Sequence, residues 1–234
     1  LADPHHWDDE PFEAIVSNPP YSIKWDGDAN PLLINDERFT PAGVLAPKSK
    51  ADLAFVMHAL SWLATNGTAA IVSFPGAMYR GGAEQKIRKY LVDNNYVDAV
   101  IQLPTDLFFG TTIATCILVL KKNKSDSKVL FIDATNEFVR GSAKNKLNDD
   151  HMKRILDCYA NRETHEYYSR LVTHKEIEEK DYNISVGTYV VSEDKREVVN
   201  IKELNAKIEG IVNRQNELRT KIDAIVADLE GKAA

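Results

Sequence analysis

The stretch Ala14-Ile15-Val16-Ser17-Asn18-Pro19-Pro20-Tyr21 decides how this chain folds. Its apolar start predicts a β-strand over residues 14–17. Pro19 and Pro20 end that strand, because neither ring offers a backbone N–H and each restricts the residue before it. Residues 18–21 are therefore predicted to form a stiff turn. In an open α/β sheet, ligands bind at the carboxyl ends of the strands, so we expect Asn18 and Tyr21 to do more than pack.

The chemistry of this turn suits a planar base that carries an amino group. The side-chain oxygen of Asn18 is an acceptor, and a fixed turn can place it beside the backbone carbonyl of Pro19. The two oxygens would then accept both hydrogens of one exocyclic amine. Tyr21 offers a flat ring, on which stacking is worth ~1–3 kcal/mol per base. These features predict a site for a flipped-out nucleobase; the alternative is an ordinary turn with a packed Tyr.

Residues 18–21 resemble the catalytic motif of S-adenosylmethionine-dependent DNA methyltransferases that act on an exocyclic amine, most often adenine N6. The surrounding sequence resembles, more narrowly, the modification subunit of type I restriction-modification systems. This resemblance runs from about Trp7 to the C-terminus. The stretches that carry it are Ser22-Ile23-Lys24-Trp25, Asn35-Asp36-Glu37-Arg38-Phe39, Leu45-Ala46-Pro47-Lys48-Ser49-Lys50-Ala51-Asp52, Arg80-Gly81-Gly82-Ala83-Glu84-Gln85 and Leu107-Phe108-Phe109-Gly110.

The resemblance implies a site-specific DNA adenine-N6 methyltransferase subunit that transfers a methyl group from S-adenosylmethionine to a flipped-out adenine. It assigns the catalytic positions to Asn18, Pro19, Pro20 and Tyr21. As partners it implies DNA, a specificity subunit that reads the DNA sequence, a restriction subunit and a second copy of the modification subunit. A methyltransferase for an amide or an RNA amine shares this chemistry, but the type I context disfavours it.

Size and composition narrow the class of protein. With 234 residues, the chain fits one ordinary domain and an appendage. No run approaches the ~18 uncharged apolar residues of a membrane span, and the start of the chain lacks the zones of a signal peptide, so we expect a cytoplasmic protein without membrane contact. Cys116 and Cys158 lack C-x-x-C spacing and are expected to be reduced core thiols. The scattered histidines, including His5 and His6, do not predict a metal site.

The charge of the chain bears on its partners. The net charge is −6, whereas affinity for duplex DNA comes mostly from neutralised phosphates. A DNA enzyme with this balance is expected to take its basic surface from a partner subunit.

Apolar periodicity predicts an α/β fold in which strands and helices alternate. The order of elements indicates a mostly parallel sheet covered by helices, with an antiparallel hairpin at one edge and a helical C-terminal extension. The resemblance implies that this is part of a Rossmann-like methyltransferase sheet. The first helix should begin at the Ser49/Asp52 pair and end at Asn66-Gly67. The predicted strands are Ala14–Ser17, Thr68–Phe74, Ala99–Leu103, Ile113–Leu120 and Val129–Ile132, and the predicted helices are Ala51–Ala64, Ala83–Val92, Asn145–Cys158 and Thr173–Lys180.

The tail carries apolar residues at alternating spacings of three and four, which is typical of a coiled coil. A stripe this narrow needs another helix to cover it. We expect a partner helix, with Gln215, which interrupts the series, setting the register; the alternative is that the tail packs on its own domain. The series consists of Ile201, Leu204, Ile208, Ile211, Leu218, Ile222, Ile225 and Leu229.

Two adjacent aromatic residues form a second candidate element of the base site. Phe108 and Phe109 precede Gly110 between two predicted strands. One of the rings is expected to stack on the opposite face of the flipped base, and Phe109 is preferred because Gly110 leaves space beside it. Packing in the core is the alternative for either ring.

Residues near the start of two helices are further candidates. Arg80, which precedes a Gly-Gly pair and a helix, is a candidate phosphate-binding residue, and an ordinary Gly-rich turn is the alternative. Asp52 and Phe55 are candidate cofactor-binding residues because they begin a helix near the functional edge of the sheet. The alternatives are a first-turn acid stabilised by the helix dipole and a Phe in the core.

The resemblance places the cofactor elements, a Gly-rich strand-to-helix turn and two acids, before the catalytic motif. Only seventeen residues precede Asn18, and they contain no Gly. We therefore expect residues 1–140 to be the C-terminal half of the catalytic domain, 141–200 a helical and irregular extension, and 201–230 a coiled-coil-like helix. S-adenosylmethionine would be bound in the intact enzyme, and the isolated fragment would be inactive. The alternative is a catalytically silent assembly module that docks on a specificity subunit through residues 201–229.

Overall fold

The computed structural model describes residue 1 and residues 10–109, 111–193 and 200–232, so that His5 and His6 lie outside the described residues. The chain divides into the units Leu1–Ser192 and Glu193–Ala234. In chain order, the described strands and helices are β1 Phe12–Ser17, α1 Pro31–Ile34, α2 Asp52–Trp62, β2 Leu63–Ser73, α3 Ala83–Asp93, β3 Val97–Gln102, β4 Cys116–Lys121, β5 Lys128–Asp133, β6 Val139–Arg140, β7 Asn145–Lys146, α4 Asp149–Asn161, β8 Ser169–Thr173, α5 His174–Glu178 and α6 Ile201–Lys232.

A mixed sheet with the strand order β1-β2-β4-β3-β5-β8 forms the centre of the first unit. Strands β1, β2, β3 and β5 run in one direction: β1 pairs with β2 and β3 with β5 in parallel, and β4 pairs antiparallel with both β2 and β3. Strand β8 is an antiparallel edge on β5. The expected fold class, a mostly parallel α/β sheet with an antiparallel edge, is confirmed.

The prediction of a hairpin at the edge of the sheet is wrong, because the two strands that would form it, β4 and β5, do not pair with each other. Strand β4 lies in the interior of the sheet between β2 and β3, and β5 lies on the other side of β3. Most residues of β4 are buried, which suits an interior strand. The antiparallel edge is formed by β8. The sequence did not predict this strand, because the aromatic and polar residues around it show no clear period.

The junction between α2 and β2 also differs from the prediction. The helix ends at Trp62 and β2 follows at once, so Asn66-Gly67 lies inside a strand and does not end the helix. Here the pairing with β1 slips, because Phe12 is opposite Leu63 while Ala14 is opposite Thr68. A Cβ on Gly67 would lie 2.8 Å from the carbonyl oxygen of Phe12. Gly67 therefore marks an irregular close approach between two strands.

Helices cover both faces of this sheet. Strand β3 shows the arrangement, because its Val100 belongs to the core under α2 and α3, while Ala99 and Ile101 belong to a second core with Ile155 and Cys158 of α4. These three residues are all buried, as expected for a strand covered on both sides. The cysteines Cys116 and Cys158 are free and buried, as expected of core thiols.

The segment after α5 packs back on α3. Arg88, which is buried in α3, donates hydrogen bonds to the carbonyl oxygens of Tyr182 at 2.7 Å and Ala77 at 2.9 Å. The backbone N–H of Ile184 donates to the carbonyl of Met78 at 2.9 Å. These bonds join residues 182–184, near the end of the first unit, to α3 and to residues 77 and 78, which precede it.

The tail is helical over Ile201–Lys232, as predicted. The apolar residues of its three-and-four series are exposed along this helix. None of the described helices is long and apolar enough to cross a membrane.

Candidate active site

The turn after β1 places Asn18 and Tyr21 side by side. Asn18, Pro19 and Pro20 follow directly on the carboxyl end of β1. The hydroxyl of Tyr21 donates a 2.7 Å hydrogen bond to Oδ1 of Asn18. Asn18 is exposed and Tyr21 is half-buried. The predicted turn is confirmed, and it holds the amide of Asn18 in a defined orientation at the edge of the sheet.

Asp52 fixes the turn at its other end. Ser22 has a φ of 49°, a left-handed conformation that is uncommon for residues other than Gly. Its backbone N–H donates to Oδ1 of Asp52 at 2.9 Å, and its hydroxyl donates to Oδ2 at 3.4 Å. Asp52 is buried in the first turn of α2. Because hydrogen bonds to a carboxylate are roughly twice as strong as neutral ones, Asp52 ties the turn firmly to the helix.

This use of Asp52 corrects the predicted helix start. The residue that precedes α2 is Ala51, and no side chain caps the helix there. The Ser49/Asp52 pair therefore does not form a capping box, because the carboxylate of Asp52 accepts hydrogen bonds from Ser22 instead.

The hydroxyl of Tyr21 and the thiol of Cys116 both lie in surroundings that raise their pKa values. Burial raises the pKa of Tyr21, and the nearby Cys116 adds to the shift. Burial also raises the pKa of Cys116 to about 12, and this thiol donates to the carbonyl of Ser73 at 3.5 Å. Near neutral pH, both groups are uncharged, and Tyr21 remains a donor to Asn18.

A cavity of about 360 Å³ brings the two aromatic candidates to the turn. The loop between β3 and β4 forms its second wall. The turn after β1 and the loop between β3 and β4, which are far apart in sequence, thus surround one space. The residues that line it are Asn18, Pro19, Pro20, Tyr21, Phe108, Phe109 and Thr111.

The two Phe rings have different environments. Phe108 is half-buried and packs against the core beside α4. Phe109 is 89% exposed at the end of its loop. Gly110, on which the sequence-based preference for Phe109 rested, lies outside the described residues. The contrast in burial leaves Phe109 as the ring that is available to a ligand.

Arg80 does not line this cavity. Its guanidinium forms an ion pair with Glu84 at 3.3 Å and lies 5.0 Å from the centre of the Phe74 ring. These contacts hold Arg80 against the first turn of α3, and its phosphate-binding role stays a prediction.

The residues predicted to bind a cofactor have other contacts in this structure. Both carboxylate oxygens of Asp52 accept hydrogen bonds from Ser22. Phe55 is half-buried and packs against the main core. These contacts give both residues structural roles, and their cofactor-binding role stays a prediction. Among the described residues, no group of His, Cys, Asp or Glu side chains is arranged to hold a metal ion.

Sequence reasoning missed two residues of this site. Ser22 entered the sequence analysis only as part of the resemblance, because a Ser does not indicate a left-handed backbone. Thr111 lines the cavity, but nothing in the sequence distinguishes it from a Thr in an ordinary loop. Both positions depend on contacts between segments that are distant in sequence.

Comparisons with known proteins place the chain among methylases. The family model described as N-6 DNA Methylase matches residues 1–198. The type I restriction enzyme MpnII methylase subunit of Mycoplasma pneumoniae is 53% identical over 220 residues, which cover 94% of this chain and 40% of that protein. The type I restriction enzyme MjaVII methylase subunit of Methanocaldococcus jannaschii is 31% identical over 241 residues, with coverage of 99% and 41%.

Solved structures agree with these relatives. The methyltransferase subunit of the type I restriction-modification system from Streptococcus thermophilus has a TM-score of 0.76 at 42% identity, over 80% of this chain and 40% of that chain. The chain therefore spans about two fifths of the length of the relatives that it matches.

Proposed function

The chain belongs to the N-6 DNA methylase family, and from this premise we propose that it forms the base-holding half of the active site in a type I modification subunit. The proposed reaction is methylation of adenine N6 in DNA. The observation that carries the proposal is the cavity in which Asn18, Tyr21 and Phe109 meet. The type I context is supported by the names and identities of the relatives.

Asn18 and Pro19 hold the reacting amine in this proposal. Adenine N6 is a poor nucleophile because its lone pair is delocalised into the ring. Two acceptors on its hydrogens, Oδ1 of Asn18 and the carbonyl oxygen of Pro19, favour the pyramidal form in which the lone pair is available. An amide oxygen has two lone pairs, so Asn18 can keep its bond from Tyr21 and still accept from the amine. The acceptors are fixed before the base arrives, and positioning of this kind lowers the barrier.

Tyr21 and Phe109 supply the two faces of a base clamp. Flipping a base out of a duplex costs a few kcal/mol, and stacking returns ~1–3 kcal/mol per base on each aromatic face. One ring alone would leave the flipped state sparsely populated, whereas two rings offset the cost. The exposed ring of Phe109 gains apolar contact when a base enters the cavity.

The methyl donor, S-adenosylmethionine, is proposed to bind mainly through residues of the intact subunit that this chain does not contain. The chain spans about two fifths of the length of its relatives, and Asp52 and Phe55 have structural contacts in this part of the fold. The edge of the sheet supports this. Strand β1 is at the edge and its Val16 is 89% exposed, whereas apolar parallel strands are normally covered on both faces. We infer that further elements of the subunit cover β1.

The proposed partners are DNA, a specificity subunit, a restriction subunit and a second modification subunit. The net charge of −6 favours a division of labour in which another subunit supplies most of the phosphate contacts. We keep the division into residues 1–140, 141–200 and 201–230 as part of this proposal. In that division, the last segment is the one that joins a partner helix.

Phe109→Ala tests the base clamp in the complete methyltransferase. With 2-aminopurine at the target position of the DNA, loss of the second stacking ring should lower the fluorescence of the flipped base. Ile113→Ala is a matched control, because Ile113 is exposed on the same loop and does not line the cavity. An unchanged signal for Phe109→Ala would remove this ring from the site.

An assembly module without catalysis is the second candidate function. The exposed apolar series on α6 favours it, because a single amphipathic helix gains stability from a partner helix. Measuring complex formation of the chain with the specificity subunit, and methylation by the complete subunit carrying the same variants, distinguishes the two functions. Binding that is lost in Ile211→Lys and Leu218→Lys variants, while Asn18→Ala binds normally, would assign assembly to the tail.

A further inference from the structure

We propose that Lys144 is a positioning residue that holds the loop carrying Phe109 against the turn at Asn18. The proposal rests on the base clamp described above and adds to it the small hairpin formed by β6 and β7, residues 139–146. Lys144 lies in the turn of this hairpin. Its ammonium group contacts both limbs of the loop between β3 and β4. The first limb, residues 103–108, leads to Phe109, and the second limb is residues 111–115.

The loop between β3 and β4 is long, and the backbone hydrogen bonds described between its two limbs are few. At its base, the N–H of Leu103 donates to the carbonyl of Thr115 at 2.9 Å. Closer to the tip, the described pairing of the two limbs is a longer bond of 3.3 Å from the N–H of Asp106 to the carbonyl of Thr112. Phe109 lies beyond this bond, so the limbs need support from outside the loop to keep the ring in one place.

The β6–β7 hairpin supplies this support. Asn145 donates from its backbone N–H to the carbonyl of Asp106 at 3.0 Å and from Nδ2 to the carbonyl of Thr105 at 2.9 Å. Asn145 is buried. These bonds attach the hairpin to the first limb only.

Lys144 extends the attachment to the second limb. Its Nζ donates to Oδ1 of Asp106 at 2.6 Å on the first limb and to the carbonyl of Thr111 at 3.2 Å on the second. The Lys144 side chain is 21% exposed and that of Asp106 is 18% exposed. Thr111 itself lines the cavity. A single ammonium group thus joins the hairpin, both limbs and the wall of the base site.

The local backbone is shaped for this contact. Asp106 has a φ of 58°, a strained left-handed value for a residue with a side chain. Gly141 donates its N–H to the carbonyl of Lys144 at 2.9 Å, and a Cβ at Gly141 would lie 2.5 Å from that oxygen. The hairpin turn therefore requires Gly141, and the turn in turn places Lys144 over the loop.

Arg140 provides a matched comparison within the same cluster. It also pairs with Asp106, at 2.8 Å, and it contacts Asn145 at 3.1 Å. Its described hydrogen bonds include none to Thr111, and its side chain is 63% exposed. Loss of Arg140 removes a charge pair with Asp106 but leaves the bridge between the limbs intact.

The test uses the complete methyltransferase, with its specificity subunit and DNA that carries 2-aminopurine at the target position. Lys144→Met should lower the flipped-base fluorescence and reduce kcat/KM about 10-fold, the size of one lost stacking contact. Lys144→Arg, which keeps donors on a long side chain, should restore most of both signals. Arg140→Met should stay within about twofold of wild type, since exposed ion pairs contribute little.

The double variant Lys144→Met/Phe109→Ala shows whether Lys144 acts through the ring. If it does, the double variant should be no worse than Phe109→Ala alone. If Phe109→Ala is impaired while Lys144→Met resembles Arg140→Met, the Lys144 proposal is overturned and the base clamp stands. If Phe109→Ala retains full activity and fluorescence, the clamp fails and the role of Lys144 fails with it. Circular dichroism of each variant separates these outcomes from unfolding.

Discussion

The hydroxyl of Tyr21 donates a 2.7 Å hydrogen bond to Oδ1 of Asn18. The bond connects the proposed stacking ring to the proposed acceptor, so that each restrains the other. In this bond Oδ1, the acceptor end of the Asn18 amide, lies towards the Tyr21 hydroxyl and keeps a second lone pair. The turn therefore has its acceptor oriented before any base binds.

Tyr21 variants should separate orientation from stacking. Tyr21→Phe keeps the ring and removes only the hydroxyl, and we expect a loss in kcat of about tenfold or less, the value of one hydrogen bond. Tyr21→Ala also removes the stacking surface, worth ~1–3 kcal/mol, and should lose substantially more. Single-turnover methylation of target DNA measures both rates. Equal losses in the two variants would contradict a stacking role for the ring.

Asp52 variants should distinguish positioning from cofactor binding. Asp52→Asn keeps an oxygen for the N–H of Ser22 and should retain most activity. Asp52→Ala leaves that N–H without its acceptor and should cost about 1–3 kcal/mol of stability together with a clear fall in activity. Ser22→Ala removes only the 3.4 Å bond and is the mild control. If Asp52→Asn were as inactive as Asp52→Ala while folding normally, the charge itself would be needed, as the sequence-based cofactor assignment requires.

The sequence predicted the turn well because proline acts locally. Pro19 and Pro20 impose their restrictions whatever surrounds them, so the position of Asn18 at a strand end followed from the sequence alone. The support of the turn was not predictable in this way. Asp52 was noticed as a helix start, and only the fold shows that its carboxylate is used by Ser22, thirty residues earlier.

The same difference between local and distant contacts explains the fold. Helix α3 and strands β3 to β5 were predicted close to their observed bounds, because their apolar patterns are regular. The order of strands in the sheet depends on which strands pair, and short apolar strands such as β4 carry no signal of their neighbours. Gly67 was misread for a related reason, since its close contact with Phe12 belongs to a strand pair and not to a helix end.

The stability of the first unit should fall on mild acidification because of His58. Burial, followed by the charge of Arg38, lowers the pKa of His58 to about 4, against an unfolded value of about 6.5. Nδ1 of His58 accepts a 2.9 Å hydrogen bond from Arg38. The unfolded chain thus binds a proton more readily, so the stabilisation is complete above pH 6.5 and is lost as the pH falls towards 4.

Urea unfolding between pH 4 and 7 measures this effect. His58→Gln, which keeps an acceptor but does not titrate, should show a flatter dependence on pH over this window. A wild-type and a variant profile of equal slope would contradict the assignment to His58.

The chain by itself should bind S-adenosylmethionine negligibly. The chain spans about two fifths of the length of its relatives, and Asp52 and Phe55 have structural contacts. Isothermal titration calorimetry of the 234-residue chain measures this, with the complete subunit as the positive control. Tight binding by the chain alone would show that the methyl donor site is built from residues of this chain.

Asn18→Ala in the complete methyltransferase tests the central claim most directly. The claim is that Oδ1 of Asn18 holds the target amine, so its removal should lower the single-turnover rate of methyl transfer by at least ~10²-fold, as loss of one preorganised polar group does elsewhere. Circular dichroism and DNA binding should be unchanged, because Asn18 is exposed. A folded Asn18→Ala enzyme that methylates adenine at a near-normal rate would contradict this account.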